Sequence, residues 1–161
     1  MGSKRKSRKT WREKLEKQQE PKIVDIPPRW TKRYGEGKML IPKPLDVDAL
    51  IRKVGQGELV TQSQIRERLA KNSEADITCP LTTGIFIRIV AETAEEDLQL
   101  GKKDVTPYWR VIRDDGSLNE KFPGGAEAQS ERLREEGHIV EPGKGKKPPK
   151  VKGFEEYLVK L

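Results

Sequence analysis

The sequence has few of the residues that build disulfide frameworks, metal centres and membrane spans. Its 161 residues include one cysteine and one histidine, so we expect no internal disulfide and no Cys and His cluster for a metal ion. No run approaches the roughly 20 apolar residues of a membrane-spanning helix, and the N-terminus lacks the apolar segment of a secretory signal. These absences predict a cytoplasmic or nucleoid-associated protein with no membrane partner, no metal and no cofactor.

Apolar residues are also scarce, at 33% against 37% charged residues, which is less than a globular domain usually has. Because they concentrate in the middle of the chain, we expect one folded core of about 100 residues with polar extensions. The predicted divisions are a basic, proline-rich arm and extension at 1–44, the folded domain at 45–140, and a basic loop and terminal strand at 141–161. Lys and Arg outnumber Asp and Glu by 33 to 26, a balance that favours nucleic acid as a partner.

The first 20 residues hold eight basic and three acidic side chains, so most of the net charge lies in this arm. Such an arm can neutralise DNA phosphates regardless of base sequence, which makes binding salt-sensitive. It is equally typical of a flexible, solvated tail, and the two interpretations are compatible. A helix is expected here only over 11–19.

Five prolines between positions 21 and 44 predict extended chain without regular helix. Trp30 and Tyr34 lie in this segment among basic residues. Interleaved aromatic and basic side chains can stack on nucleic-acid bases. More often, such aromatic side chains fix an irregular segment to a nearby core, and this second interpretation is favoured.

Three helices are predicted in the middle of the chain. Asp46 is expected to cap the first, whose apolar side chains share one face. Thr61 and Gln64 have the spacing of a capping box, which predicts the start of the second. Pro80 suits the first turn of a third helix that ends near Gly101. The predicted apolar face of this third helix consists of Ile85, Phe86, Ile89, Val90 and Ala94.

A short hairpin followed by another helix is predicted next. Trp109 and Val111 alternate with Arg110 and Ile112, which is the pattern of a half-buried strand. Residues 114–116 supply a turn, and good helix formers at 126–136 are closed by Gly137. Residues 154–161 also alternate, and are expected to pair with residues 139–140. The chain is thus predicted to be mainly α with a small β-hairpin, a single winged helix-turn-helix-like domain.

The segment 107–138 resembles the core of the alkylguanine-DNA alkyltransferase family. In that family a Pro-Cys-His-Arg-Val motif carries the thiolate that accepts the alkyl group. Here the motif reads Pro107-Tyr108-Trp109-Arg110-Val111, with Gly124-Gly125 and Glu136-Gly137-His138 in register. Tyr108 replaces the acceptor cysteine, and a phenol with a pKa of about 10 is a poor acceptor of an alkyl group. The chain therefore resembles the alkyltransferase-like proteins, which keep the DNA-binding fold without the reaction.

The resemblance implies non-enzymatic DNA binding with a role in DNA repair through sensing of alkylated guanine. Gln62 occupies the place of a tyrosine that presses on the phosphate of the target nucleotide. Leu81 occupies that of an arginine that fills the gap left by the flipped base. The implied DNA contacts are Gln62, Thr82, Thr83, Arg88, Arg110 and Arg113. The implied base pocket consists of Tyr108, Trp109, Phe122, Pro123, Gly124 and Gly125.

Base flipping takes a few kcal/mol, and neither Gln62 nor Leu81 resembles the side chain that drives or holds the flipped state. DNA binding is therefore expected more firmly than damage recognition. With Trp109 in place of the activating histidine, Glu136 is expected to remain only as a structural acceptor.

Two other functions stay open. One is a scaffold that binds a protein or RNA partner. The other is residual alkyl transfer through Cys79, because the start of a helix favours a thiolate. However, the single histidine, His138, lies far from Cys79 in sequence, and a lone cysteine is most often a small buried hydrophobe.

Overall fold

The computed structural model describes residues 10–161. The basic residues at positions 4–9, and the prediction that they contact phosphates, lie outside this range. The described part contains six α-helices, seven short strands and two 3₁₀ turns. The helices are α1 (Trp11–Leu15), α2 (Pro28–Tyr34), α3 (Pro44–Arg52), α4 (Gln62–Asn72), α5 (Pro80–Gln99) and α6 (Gly125–Glu135). The strands are β1 (Lys22–Asp25), β2 (Lys38–Ile41), β3 (Val60–Thr61), β4 (Ile77–Thr78), β5 (Val111–Ile112), β6 (Val140–Glu141) and β7 (Lys150–Val151). The 3₁₀ turns are Tyr108–Arg110 and Phe154–Tyr157.

The proline-rich segment is folded, so the prediction of extended chain without helix is wrong there. Pro28 begins α2, because proline is tolerated in a first helical turn whose N–H groups have no intrahelical partner. The strand β1 pairs antiparallel with β2, and β2 pairs in parallel with β4. Trp30 and Tyr34 pack against a buried cluster that contains Ile26, Met39 and Cys79. The interpretation that these two aromatic residues anchor the segment is therefore confirmed.

The three central helices form the main core, as predicted, with adjustments at their ends. The helix α3 begins at Pro44, so Asp46 lies in its first turn and does not cap it. At α4 the predicted capping box is present, since the Thr61 hydroxyl accepts the Gln64 N–H at 3.1 Å and the Gln64 side chain accepts the Thr61 N–H at 2.9 Å. The helix α5 begins at Pro80 as predicted.

The buried face of α5 differs from the prediction at Ile85 and Ile87, and Phe86 is only half-buried. Ile89, Val90 and Ala94 are buried as expected, but Ile85 is 59% exposed and Ile87 is fully buried instead. The reason is tertiary: α1, α3 and α4 and the turn at Tyr108–Arg110 all pack on α5. Its second half is therefore enclosed, while the outer side of its first half remains at the surface.

The predicted wing is not formed. Residues 108–110 make a 3₁₀ turn, and only Val111–Ile112 are a strand. That strand pairs in parallel with β3, with Val60 opposite Val111. The turn at 114–116 does form, with Gly116 at a φ of +86°. After this turn, however, Ser117 forms an isolated antiparallel β-bridge with Lys150. Both β5 residues are buried, as is typical of parallel pairing, so the alternation that predicted a hairpin was misleading.

A second, smaller core lies under α6 and the C-terminal segment. The helix α6 ends as predicted, with Gly137 at a φ of +97°. The terminal hairpin joins β6 to β7, with Val140 opposite Val151. Residues 154–157 form a 3₁₀ turn, and Leu158 bridges Leu59. The prediction that 154–161 is a strand paired with 139–140 is therefore wrong.

The capping box allows a direct test of helix stability. Because Thr61 is only 6% exposed, replacing it by alanine removes both the capping hydroxyl and a buried methyl group. The variant Thr61→Ser removes the methyl group alone. We expect Thr61→Ala to unfold about 1 kcal/mol more readily than Thr61→Ser in urea titrations. Equal stabilities of the two variants would show that the hydroxyl does not hold α4.

Candidate functional site: the acceptor position and its surroundings

The residue at the acceptor position of the resemblance, Tyr108, is part of the core. It is 1% exposed, and its hydroxyl donates to Glu95 Oε2 at 3.0 Å. Burial raises the pKa of Tyr108 far above its ordinary value, and the neighbouring Glu95 carboxylate raises it further. Its ring meets Trp109 and Phe122 edge-on, at centroid distances of 5.4 and 5.3 Å. The residue is therefore a neutral structural phenol and not a nucleophile.

Glu95 connects this tyrosine to α6. Its Oε2 also accepts from Arg132 Nη2 at 3.2 Å, and the Arg132 guanidinium lies 4.8 Å from the centre of the Trp109 ring. One carboxylate on α5 thus joins the 3₁₀ turn and the last turn of α6. Such charge-assisted hydrogen bonds are stronger than neutral ones. Arg132 therefore fixes the carboxylate that accepts from the Tyr108 hydroxyl.

Glu136 makes the densest set of polar contacts around the 3₁₀ turn. Arg110 donates from Nε to Glu136 Oε1 at 2.9 Å and from Nη2 to Oε2 at 2.9 Å. The Trp109 indole donates to Oε2 at 2.8 Å, and the Gly57 N–H donates to Oε1 at 3.1 Å. Arg110 Nη1 also reaches the Val54 carbonyl at 2.6 Å. Burial acts to raise the pKa of Glu136, but these donors outweigh it and lower the pKa below its ordinary value.

The geometry agrees with the expectation that Glu136 is a structural acceptor. Trp109 occupies the place of the activating histidine and satisfies the same carboxylate with an N–H that is not acidic at ordinary pH. A proton cannot be relayed through this indole, so the arrangement holds the turn in place without activating a nucleophile.

The residues of the implied base pocket lie together, but two of them are covered. Tyr108 and Phe122 are 1% and 3% exposed, so neither ring presents a face to solvent. Pro123 is half-buried and Gly124 is exposed. Gly124 and Gly125 have φ values of +77° and +71°, a backbone that favours glycine. An open pocket with Tyr108 as its floor is therefore absent from this arrangement, and the glycines serve the turn into α6.

Two of the six implied DNA contacts are occupied by internal bonds, which corrects the prediction. Thr83 is 1% exposed, and its hydroxyl donates to the Cys79 carbonyl four residues earlier at 2.8 Å, as helical threonines often do. Arg110 is held by Glu136, and its side chain is 13% exposed. Sequence alone did not show this because both roles depend on tertiary packing.

The other four implied contacts lie at or near the surface. Arg88 and Arg113 are exposed, and Gln62 is half-buried in the first turn of α4. Thr82 is half-buried, with its hydroxyl 3.1 Å from Cys79 Sγ. These four residues remain predicted DNA contacts.

The surface of α5 is not basic. Its N-terminal half exposes Leu81 at 60% and Ile85 at 59%. The whole helix carries one basic residue against four acidic ones, a formal charge of −3; these are Arg88, Glu92, Glu95, Glu96 and Asp97. A helix of this composition has little electrostatic attraction for DNA phosphates.

A cleft of about 460 Å³ opens between α2 and α4. Its walls carry three cationic residues, Arg33 from α2 and Arg66 and Lys71 from α4. Asp76 and Asp114 also line it, but the first accepts the Lys38 N–H at 2.7 Å and the second accepts the Ser63 N–H at 3.0 Å; the third acidic lining residue is Glu67. Sequence reasoning missed this cleft because it requires the folded extension.

Cys79 is buried where α5 begins. It is 7% exposed, and its sulfur accepts the Thr82 N–H at 3.5 Å. His138 is also buried and lies edge-on to Tyr157 at 4.7 Å. Burial lowers the pKa of His138 despite the opposing charge of Glu136, so it is a neutral core residue. Cys79 thus has the character of a small hydrophobe, as its usual role suggests.

Within residues 10–161, no group of three or more His, Cys, Asp and Glu side chains is placed to hold a metal ion. In the same part of the chain, no helix is long and apolar enough to cross a membrane.

Comparison with known proteins identifies the fold. No family model and no curated protein matches the sequence. Among solved structures, the chain is similar to S. pombe Atl1, an alkyltransferase-like protein, in its crystal structure in complex with damaged DNA containing O6-carboxymethylguanine. The TM-score is 0.50 at 19% sequence identity, and the match covers 73% of this chain and 94% of that one. The resemblance seen in the sequence is thus confirmed at the level of the fold.

The Glu136 contacts predict a pH-dependent stability. Replacing Glu136 by glutamine leaves the Arg110 charge buried without a counter-charge, and we expect a loss of about 3 kcal/mol near pH 7. A carboxylate whose pKa is lowered in the folded state stabilises above its unfolded pKa, about 4.3, and stops doing so as pH falls through the folded pKa. The difference between wild type and Glu136→Gln in urea unfolding should therefore shrink below about pH 4.

Glu16→Gln is the matched control. It breaks the pair between Arg12 and Glu16, whose side chains are 36% and 56% exposed, and should change stability by less than about 0.5 kcal/mol. If Glu136→Gln behaved like this control, the Glu136 contacts would not be what holds the 3₁₀ turn.

Proposed function

We propose that this chain is a non-enzymatic DNA-binding protein on the alkyltransferase-like fold. One observation carries the proposal: the acceptor position holds Tyr108, buried and hydrogen-bonded to Glu95, on a fold shared with a protein solved on damaged DNA. The fold is thus retained while the position of the reaction is filled by a core residue. Binding without alkyl transfer is the function that fits both facts.

Alkyl transfer lacks its chemical requirements around Tyr108. A thiolate acceptor needs a sulfur with a neighbouring base or cation. The single sulfur of a cysteine in the sequence is that of Cys79, which is buried beside Met39 and Ile26. The single histidine is a buried residue packed on Tyr157. The chain is therefore proposed to bind without forming a covalent product.

The proposed DNA contacts are the surface residues near the starts of α4 and α5. Gln62, Thr82, Arg88 and Arg113 would contact the backbone or groove, and the basic residues at positions 4–9 would add sequence-independent contacts to phosphates. Recognition of alkylated guanine is the less supported part of the proposal. The rings of Tyr108 and Phe122 would have to separate to admit a base, in addition to the few kcal/mol that flipping itself requires.

Salt titrations on matched duplexes test this function. We expect the full chain to bind duplex DNA. The logarithm of its association constant should fall with the logarithm of salt concentration, with a slope of about −3 or steeper, which corresponds to three or four neutralised phosphates. The affinities for duplexes with and without one O6-alkylguanine should differ by less than about tenfold, because Gln62 and Leu81 replace the side chains that drive and hold base flipping. A labelled alkyl group on the guanine should remain on the DNA.

Absent binding at low salt, or binding that salt does not weaken, would remove the proposed function. Transfer of the label to the protein would show an enzyme, and its loss in Cys79→Ser would assign the acceptor.

The surface of α5 favours a protein-binding scaffold as the second function. Leu81 and Ile85 are exposed on a helix that carries a formal −3, a combination better suited to a protein than to DNA or RNA phosphates. If a protein partner uses this face, Leu81→Gln with Ile85→Gln should abolish its nuclease-resistant capture. The control is Ile139→Gln, since Ile139 is 65% exposed on another element. Equal capture of the partner by wild type, the double variant and Ile139→Gln would exclude this face of α5 as the binding surface.

A further inference from the structure

The positive charge of the folded part lies in two segments. Residues 22–44 and residues 142–161 each hold six basic and two acidic side chains, a formal charge of +4 for each segment. Residues 45–141 hold 13 basic and 19 acidic side chains, a formal charge of −6. Residues 10–21 are balanced, with three of each. The middle of the chain, which resembles the alkyltransferases, is therefore acidic by itself. Attraction between the described residues and DNA phosphates must therefore come mainly from these two basic segments, and the backbone contacts of the 22–44 extension place it next to the predicted DNA contacts.

Backbone hydrogen bonds fix this extension to the start of α5. The strand β2 is paired with β4, which directly precedes α5. The Cys79 N–H donates to the Leu40 carbonyl at 2.8 Å, and the Asp76 N–H donates to the Lys38 carbonyl at 2.9 Å. The extension is thus held beside the two helices that the resemblance assigns to DNA binding.

The helix α2 presents three basic side chains to solvent and two aromatic ones to the buried cluster of Ile26, Met39 and Cys79. Arg29, Lys32 and Arg33 are exposed, while Trp30 and Tyr34 are half-buried and lie edge-on at 6.5 Å. Arg29 lies 4.8 Å from the Trp30 ring centre, and Arg33 lies 5.3 Å from that of Tyr34. Contact with a ring restrains a guanidinium and leaves its N–H groups available.

These cations are available for an external anion. Among the described residues, Arg29, Lys32 and Arg33 form no ion pair with an acidic side chain. By contrast, Arg66 is 3.8 Å from Asp114, and Arg88 is 3.8 Å from Glu92. The exposed charge of α2 is therefore not compensated by an acidic side chain among the described residues, and the same holds for Lys71 across the cleft.

The cleft between α2 and α4 connects this charge to the predicted DNA contacts. Arg33 and Ser63 line the same cleft, and Ser63 directly follows Gln62. Thr78, which also lines it, lies four residues before Thr82. Arg33 on α2 and the chain at the starts of α4 and α5 therefore border one cleft.

We propose that α2 is a phosphate-binding element that extends the DNA footprint beyond the alkyltransferase-like domain. Lys32 and Arg33 contact the duplex backbone on the α2 side of the cleft. The contacts are to phosphates alone, so they position the DNA without reading its sequence. This proposal rests on the proposed DNA binding and gives it the electrostatic attraction that the acidic α5 lacks.

The test compares two double variants of the full chain that change the net charge equally. Lys32→Gln with Arg33→Gln removes two charges from α2. The control, Lys146→Gln with Lys147→Gln, removes two exposed charges from the loop between β6 and β7. Binding to one unmodified duplex is measured across a salt series, and thermal midpoints check that both variants remain folded.

We expect the α2 variant to have a salt slope smaller by about two, since each lost phosphate contact removes about 0.9, and an affinity at least about tenfold lower near 0.1 M salt. The control should keep the wild-type slope. If both variants bind alike, the role of α2 is overturned while DNA binding stands. If wild type itself does not bind, the proposed function fails first, and the variants are not needed to show it.

Discussion

The carboxylate of Glu136 fixes the geometry on which the site depends. It accepts from Arg110 and Trp109 in the 3₁₀ turn and from the Gly57 backbone after α3. Because it lies directly after α6, it connects three parts of the chain that are distant in sequence. A buried charge of this kind is stable only when all of its acceptor sites find donors. The turn therefore has one favourable arrangement, and the direction of Tyr108 into the core follows from it.

The same position demands opposite electrostatics in the two kinds of protein that the fold relates. An alkyl acceptor needs an environment that favours an anion on its reactive atom. Here the environment disfavours one, because Tyr108 is buried and its hydroxyl donates to the Glu95 carboxylate. Replacing Tyr108 by cysteine would place a thiol next to that negative charge and would not restore a thiolate. The change at this site therefore involves the surroundings as well as the single side chain.

Local signals in the sequence predicted the helices α3 to α6 well but missed α2, and long-range contacts explain the other errors. Thr61 begins α4 and Gly137 follows α6 as predicted, because capping and positive φ are decided within a few residues. The parallel pairing of β5 with β3 depends on residues about 50 positions apart, and no turn between them announces it. For the same reason, the burial of Thr83 and the internal role of Arg110 were not visible in the sequence. The sequence thus predicts the candidate site as a segment, whereas the burial of its residues depends on contacts that only the folded chain makes.

The pairing of β2 with β4 has a mechanical consequence. Since β4 leads directly into α5, the hydrogen bond from the Cys79 N–H to the Leu40 carbonyl fastens the first turn of that helix to the extension. A tilt of α5 that repositions Leu81 or Ile85 must either carry the small sheet along or break this bond. Whatever partner occupies the outer side of α5 therefore meets a helix whose angle is set by its connection to β2.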